Sequence, residues 1–453
     1  MKTSINLRSV TGNSKAVTLS ISVFILLLFV DYYISSISDV AIGFIQTTTG
    51  SVLFAIIMAM SLLGSFIIIN HILTIVNNRK SIFSKYKILL RVIQLILYSL
   101  SAFVLFDMII DNKYYTINLT LITIFSYGAS IVLSLLVSSK LLSWYKENKN
   151  KFSLLFGISI FFMFINLLVS IFLFTTLLSE KPSEITMSTP VVFNFECDND
   201  SLYCIFKMSV ITLQSYSMMA YFALLWICNY FLLHYQIKKI GRTRFFTLTS
   251  IPLILFFFVF IYHYDEIYSL AENLNFDESI VFMFQIFMLI LSTTLCGILY
   301  GLGFKSVANL LKISPKVEGH LKMASYGIIL FFICANATIV GAGFPPFGIP
   351  SIIFLPFASL LFYVGTYYSI IAISNDIRVR KYIKNSAYKE LEIMGDLAQS
   401  QMIDNMKEKV LAMTKRYSDE IHQSSESESM ETEEDLRSYM DEAISIFNKG
   451  NRK

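Results

Sequence analysis

Two carboxylates stand inside apolar runs of this chain, and an ionisable group in such a run is the first place to look for chemistry. Asp31 lies near the end of the run 16–36, and Asp107 near the end of the run 88–110. If those runs are neighbours, Asp31 and Asp107 share a proton or hold a cation, as a transport or ion site would. If each lies close to a water interface, both stay hydrated and carry no chemistry. His71 and His234 sit near the ends of other runs without the second ligand set that a haem or metal ion requires. The chain contains no G-x-x-x-x-G-K-[ST], H-E-x-x-H, C-x-x-C or G-x-S-x-G pattern. These absences disfavour an ATP-driven pump or a zinc protease. The expectation is a non-enzyme with no catalytic residue, no cofactor and no metal.

A second group of reactive residues lies in the polar stretch 179–206. Cys197 and Cys204 are close enough in sequence to close a small disulfide loop, or they are two free thiols. Between them, Asn199-Asp200-Ser201 is either an N-glycosylation acceptor or a chance tripeptide. Both chemistries require this loop to face the oxidising side of a membrane.

The elements that must position these residues are membrane helices. The 453-residue chain is 55% hydrophobic and 15% charged, with a mean hydropathy of +0.62. A soluble domain carries about 25% charged residues. Apolar runs of membrane-spanning length recur at 16–36, 51–76, 88–110, 117–137, 152–178, 208–234, 245–264 and 279–304. A ninth rises from Met323 to a break at 341–350, and a tenth returns from Ser351 to about Ile373. Pro345 and Pro346 within that break have no N–H to donate, so the ninth helix ends before them. The net charge of +4 gives no argument for nucleic acid, but the placement of the charges is informative. Lys and Arg gather after the second, fourth, sixth, eighth and tenth runs and in the N-terminal arm, and the intervening loops hold almost none. Positive-inside logic then places both termini in the cytoplasm of a cell-membrane protein and requires an even number of spans.

The fold class is therefore all-α: a polytopic membrane helix bundle of about ten transmembrane helices with a cytoplasmic helical tail. Residues 1–15 form the N-terminal arm, 16–374 the bundle and 375–453 the tail. Gly297 and Gly301 let helices approach closely, more readily within the bundle than between two copies. Asn166, Gln214 and Asn229 read as polar bonds between helices. The tail opens with a basic cluster, Arg378, Arg380, Lys381 and Lys384, suited to anionic headgroups at the membrane surface. Ile383, Ala387, Leu391, Met394, Ala398, Met402, Met406, Val410, Met413 and Tyr417 then recur at helical spacing, as in an amphipathic helix or a loose coiled coil. An acidic Ser/Glu linker at 423–434 precedes a short stripe of Leu436, Met440, Ala443 and Phe447.

The break at 341–350, the aromatic run Phe362-Tyr363-Val364-Gly365-Thr366-Tyr367-Tyr368, the basic-to-amphipathic stretch 374–402 and the closing helix 435–447 resemble the C-terminal part of a multi-pass membrane family of ammonia-oxidising archaea. The resemblance covers the last third of the chain. It implies residence in an archaeal cell membrane and brings no activity and no site residues, the family being uncharacterised. Two functions of different class follow from the residues. In one, the bundle is an anchor or sensor, and the tail docks a cytoplasmic protein or a second copy of the chain. In the other, the chain is a secondary transporter or channel working through Asp31 and Asp107.

Overall fold

The computed structural model describes residues 83–111, 113–179, 184–186, 202–261, 278–335, 348–386 and 388–424, with residue 26 and scattered positions from 52 to 66. Asp31, Cys197, Asn199, the Pro345-Pro346 turn, most of the 423–434 linker and the stripe from Leu436 lie outside the described residues. In chain order the elements are α1 (Phe83–Asp111), β1 (Lys113–Tyr115), α2 (Thr116–Asn148), α3 (Lys151–Ser179), β2 (Glu184–Thr186), α4 (Leu202–Leu232), α5 (His234–Ile240), α6 (Arg242–Ile261), α7 (Glu278–Leu310), α8 (Pro315–Cys334), α9 (Ile349–Asn375), α10 (Ile377–Lys384) and α11 (Lys389–Ser424). Six of them, α2, α3, α4, α7, α8 and α9, are long and apolar enough to cross a membrane. α1 and α6 lie over the predicted runs 88–110 and 245–264. The described positions in the first two predicted runs are helical, and the Tyr98 hydroxyl on α1 donates to the Leu62 carbonyl at 3.1 Å.

Three details depart from the sequence expectation. A two-stranded ladder interrupts the all-α pattern: β1 pairs antiparallel with β2, Tyr114 opposite Ile185. It ties the α1–α2 connection to the polar stretch after α3. The second departure is the length of α2, which runs 33 residues to Asn148 rather than ending near Val137. At 1.5 Å per residue that is about 50 Å, against a hydrocarbon thickness of about 30 Å. Lys140 and Lys146 therefore ride on a helix that projects beyond the apolar layer, and only Lys149 and Asn150 separate it from α3. Lys149 takes the left-handed conformation (φ 53°), which reverses the chain in that short space. Third, the predicted run 208–234 breaks at Leu233, and the short α5 follows before Gly241 starts α6.

α9 is the axis. It is buried over 94% of its apolar window, whereas α4, at 22%, lies on the outside. The outer surface of the bundle carries Phe103, Phe106, Val132, Phe172, Leu248 and Ile254, all exposed. So many large apolar side chains facing outward suit lipid rather than water. Where lipid is the solvent, helices associate by close packing and hydrogen bonds rather than by escape from water. The α8–α9 seam shows the first device. A Cβ on Gly327 would lie 2.3 Å from the Phe362 amide nitrogen, and one on Gly365 would lie 2.2 Å from that of Ala324. The two backbones touch where neither residue has a side chain. Gly297 and Gly301 seat α7 on α8, against Phe332 and Ile329, and Ser325 donates to the Gly301 carbonyl at 2.7 Å. This motif thus serves packing within the chain.

The second device is polar. Ser138 donates to the Gly157 carbonyl and Ser153 to that of Leu141, joining α2 to α3. Asn166 donates to Ser217 and to the Gln214 carbonyl, and Gln214 to Ser170, joining α3 to α4. Asn229 is buried against Gly303 instead, its Oδ1 without a hydrogen bond. Rings fill the spaces between: Phe222 and Phe256 stack at 4.0 Å, and Trp226 donates to the Thr249 carbonyl of α6. Gly327→Ala is expected to force backbones apart at a cost of about 1–3 kcal/mol and lower the unfolding temperature of the detergent-solubilised protein. Gly128→Ala, with nothing within 4 Å of its Cβ, is expected to leave that temperature unchanged or raise it.

Candidate functional site

The chemistry-bearing side chains gather at one end of the bundle, where α2, α4 and α9 finish and the tail folds back. Asp376 turns the chain out of α9 and caps α10, its Oδ1 accepting the backbone N–H groups of Arg378 and Val379. α10 then buries Val379 and Ile383 and leaves Ile377, Arg378, Lys381 and Lys384 exposed. Of the predicted surface cluster, Arg380 differs: it is half-buried and faces α11, its Nη1 2.8 Å from the Met402 sulfur.

α11 lies on the bundle rather than standing free. Leu391, Met394, Leu397, Ala398 and Ile403 are buried, so the first half of the predicted stripe faces the protein itself. Polar bonds fix this register. Trp144, wholly buried on the projecting end of α2, stacks on Tyr367 of α9 with parallel rings 6.2 Å apart. Its indole N–H donates to Gln401 Oε1 at 2.9 Å, and Gln401 Nε2 donates to Asn405 at 2.8 Å. Buried amide and indole groups cost free energy unless paired, and here each finds a partner. Asn148 donates to the Asp396 carbonyl and Asn150 to its carboxylate. Asn150 also accepts the Phe152 N–H, so one side chain caps α3 and holds the tail.

Charges frame this contact. Lys140 pairs with Asp404 at 2.5 Å, and Lys407 with Glu147 at 2.9 Å. Glu390 is only 1% exposed and accepts the Tyr235 backbone N–H at the start of α5. A carboxylate at a helix N-terminus satisfies an otherwise unpaired donor and opposes the helix dipole. Next to it, Tyr388 and Tyr235 meet edge-to-face at 4.9 Å, and their hydrogen bond raises the Tyr388 phenol above its ordinary value. α5 is in turn joined to α7 by the bond from Gln236 to Ser306. One helix of the tail thus bridges α2, α5, α9 and α10. Past Ile403 the apolar positions Met406 and Met413 are exposed, while Lys407 still reaches Glu147.

The other sequence candidates are placed as follows. Asp107 is half-buried and accepts from Asn118 Nδ2 at 3.3 Å, across the β1 turn and far along α2 from the tail contact. Its proposed companion Asp31 is outside the described residues. Cys204 is buried at the start of α4, and Cys228, Cys296 and Cys334 are buried thiols outside any disulfide. Cys197 and Asn199 are outside the described residues. Among the described residues no three His, Cys, Asp or Glu side chains gather as metal ligands. Sequence reasoning missed Trp144, Gln401, Glu390 and the buried Lys207. A tryptophan set among lysines and a glutamine inside an apolar stripe were the available signals. No protein-family model, no curated protein and no solved structure matches the chain.

Asp404→Lys places like charges together at Lys140 and is expected to loosen α11, seen as faster tryptic cleavage after Lys407 and Lys409 in the full-length protein in nanodiscs. Each pair is worth about 0.5–1 kcal/mol. Lys140→Asp combined with Asp404→Lys is expected to restore the slow rate; a doubly swapped protein that stays sensitive assigns the registry to Gln401 instead.

Proposed function

We propose that this chain is a ten-span protein of the archaeal cell membrane, with both termini in the cytoplasm, that acts as a membrane-anchored interaction or signalling protein without enzymatic activity or cofactor. Its partners are the bilayer and, through the tail, a cytoplasmic protein or a second copy of itself, with no nucleic acid involved. The observation that carries this reading is the division of α11. Its first half is registered on the bundle by Trp144–Gln401, Lys140–Asp404 and Glu390. Its second half presents Met406 and Met413 outward, 54% and 60% exposed. A helix attached to the membrane domain at one end and carrying exposed methionines at the other relays a change in the bundle to a bound partner, or the reverse.

The six apolar helices support membrane residence. The alternating basic ends support the ten-span arrangement and the orientation. In that orientation the stretch 179–206 is external, which favours a Cys197–Cys204 bond, since the other three cysteines are in no disulfide, and leaves Asn199 open to glycosylation. Arg378, Lys381 and Lys384 lie at headgroup depth. The transport reading asks Asp107 to work with Asp31. The Asp107–Asn118 hydrogen bond gives the carboxylate a structural partner at the end of the bundle, and docking stands first for that reason.

A photo-crosslinking amino acid at Met413 is expected to give a discrete adduct with another polypeptide in intact cells, and the same residue at buried Ser400 only intramolecular links. Met413 adducts no different from those of Ser400 would count against docking. Ion flux into proteoliposomes that Asp107→Asn abolishes would establish transport in its place.

A further inference from the structure

Among the described residues of this end, Arg380 is a half-buried cation that no carboxylate pairs, whereas Lys381 and Lys384 are exposed to solvent. A guanidinium is charged at every physiological pH, and one removed from water requires an anion or several acceptors. The Arg380 Nε is buried without a hydrogen-bond partner. Among the described residues, Nη1 donates to the Met402 thioether, a weak and uncharged acceptor. The buried and half-buried carboxylates described between Asp376 and Asp404 are engaged elsewhere, and Glu392 and Glu408 of α11 are exposed. Asp376 caps α10 and its nearest cation is Arg378; Asp396 holds Asn150; Asp404 holds Lys140; Glu390 holds the α5 N-terminus. Arg378, by contrast, is 91% exposed and hydrated. α10 begins two residues after α9 ends, so in a membrane Arg380 lies at the depth of the lipid phosphates. Lys384 is one helical turn along the same helix and exposed, placed to add a second positive charge.

We propose that Arg380, with Lys384, is a phosphate-binding site between α10 and α11, taking the headgroup phosphate of an anionic lipid. The guanidinium fork suits the oxygens of a phosphate, and a phosphate beside this half-buried group supplies the anion that no described carboxylate supplies. Binding there ties the α10–α11 corner to the leaflet, so the orientation of the docked tail depends on the lipid. The inference rests on the membrane placement proposed above, which alkaline extraction of the native membranes tests by itself.

The experiment uses the full-length protein in dodecyl maltoside, titrated with dioleoyl phosphatidylglycerol, dioleoyl phosphatidylcholine or pyrophosphate while the unfolding temperature is followed. Phosphatidylglycerol is expected to raise that temperature and phosphatidylcholine not to. Arg380→Gln is expected to weaken the lipid response roughly tenfold. Lys312→Gln, at an exposed cation outside the cluster, is expected to keep it within twofold. Without lipid, Arg380→Gln is expected to be as stable as the parent or more so, because no anion of the protein loses its partner. A response to pyrophosphate that needs Arg380 equally, with none to phosphatidylglycerol, supports the phosphate site and assigns it to a soluble ligand. An unchanged lipid response in Arg380→Gln overturns the proposal. So does a lipid-free protein that Arg380→Gln destabilises or prevents from folding, since the guanidinium would then be structural. Arg380→Lys retaining a partial response separates loss of charge from loss of shape.

Discussion

The backbone contact between α8 and α9 is the constraint from which the arrangement follows. Gly327 meets the main chain of Phe362, and Gly365 that of Ala324, so the two helices cross with no side chain between them at either point. In lipid, where burial of apolar surface supplies no net drive, such approach is the strongest packing available. It fixes α9 as the centre of the bundle. α7 then seats on α8 through Gly297 and Gly301, and α2 lies along α9 with Trp144 stacked on Tyr367. The end of α9 sets where α10 begins and hence where the tail helix is laid.

The protein changes its bonding with its solvent. Within the apolar part, many hydroxyls return to their own helix, as Thr123 does to the Leu119 carbonyl and Ser359 to that of Leu355, or bridge a single neighbouring carbonyl, while Ser134, Ser159, Ser351 and Thr366 are buried without a partner among the described residues. Neutral bonds suffice there, since each unpaired polar group costs several kcal/mol in hydrocarbon, roughly. At the projecting end of α2 the same function passes to ion pairs and amides, Lys140–Asp404, Lys407–Glu147 and Asn150–Asp396. Water screens such pairs, so none is strong alone. Registry comes from their combination with a desolvated hydrogen bond, Trp144 to Gln401, that tolerates only one partner.

The docked tail explains why a helix of mixed character exists at all. An isolated amphipathic helix is marginal in water, and most helix stability comes from packing one face. α11 obtains that packing from the chain's own bundle over the residues from Leu391 to Ile403. Met406 and Met413 are exposed further along the same helix, which Lys407 still ties to Glu147 of α2. Half of the predicted docking stripe is therefore already occupied intramolecularly, and the surface left for a partner is shorter than the sequence pattern suggests.

Hydropathy and charge placement were legible in the residues alone, because membrane thickness and leaflet asymmetry act on composition over about 20 residues at a time. The apolar runs from 117 onward, the basic ends and the helical spacing of the tail's apolar residues belong to that level. The polar bonds of Asn166 and Gln214 and the intrachain role of Gly297 and Gly301 were legible too, since residue type and four-residue spacing announce them. Tertiary structure alone decided the rest. No spacing rule joins Gly327 to Phe362, Trp144 to Gln401 or Glu390 to Tyr235, because each pair sits on different elements. Whether such residues meet depends on the axial offset and rotation of two helices, which all their neighbours set together. The same holds for Arg380: its type was visible among four similar cations, but its burial without an anion came only from where α11 is laid down.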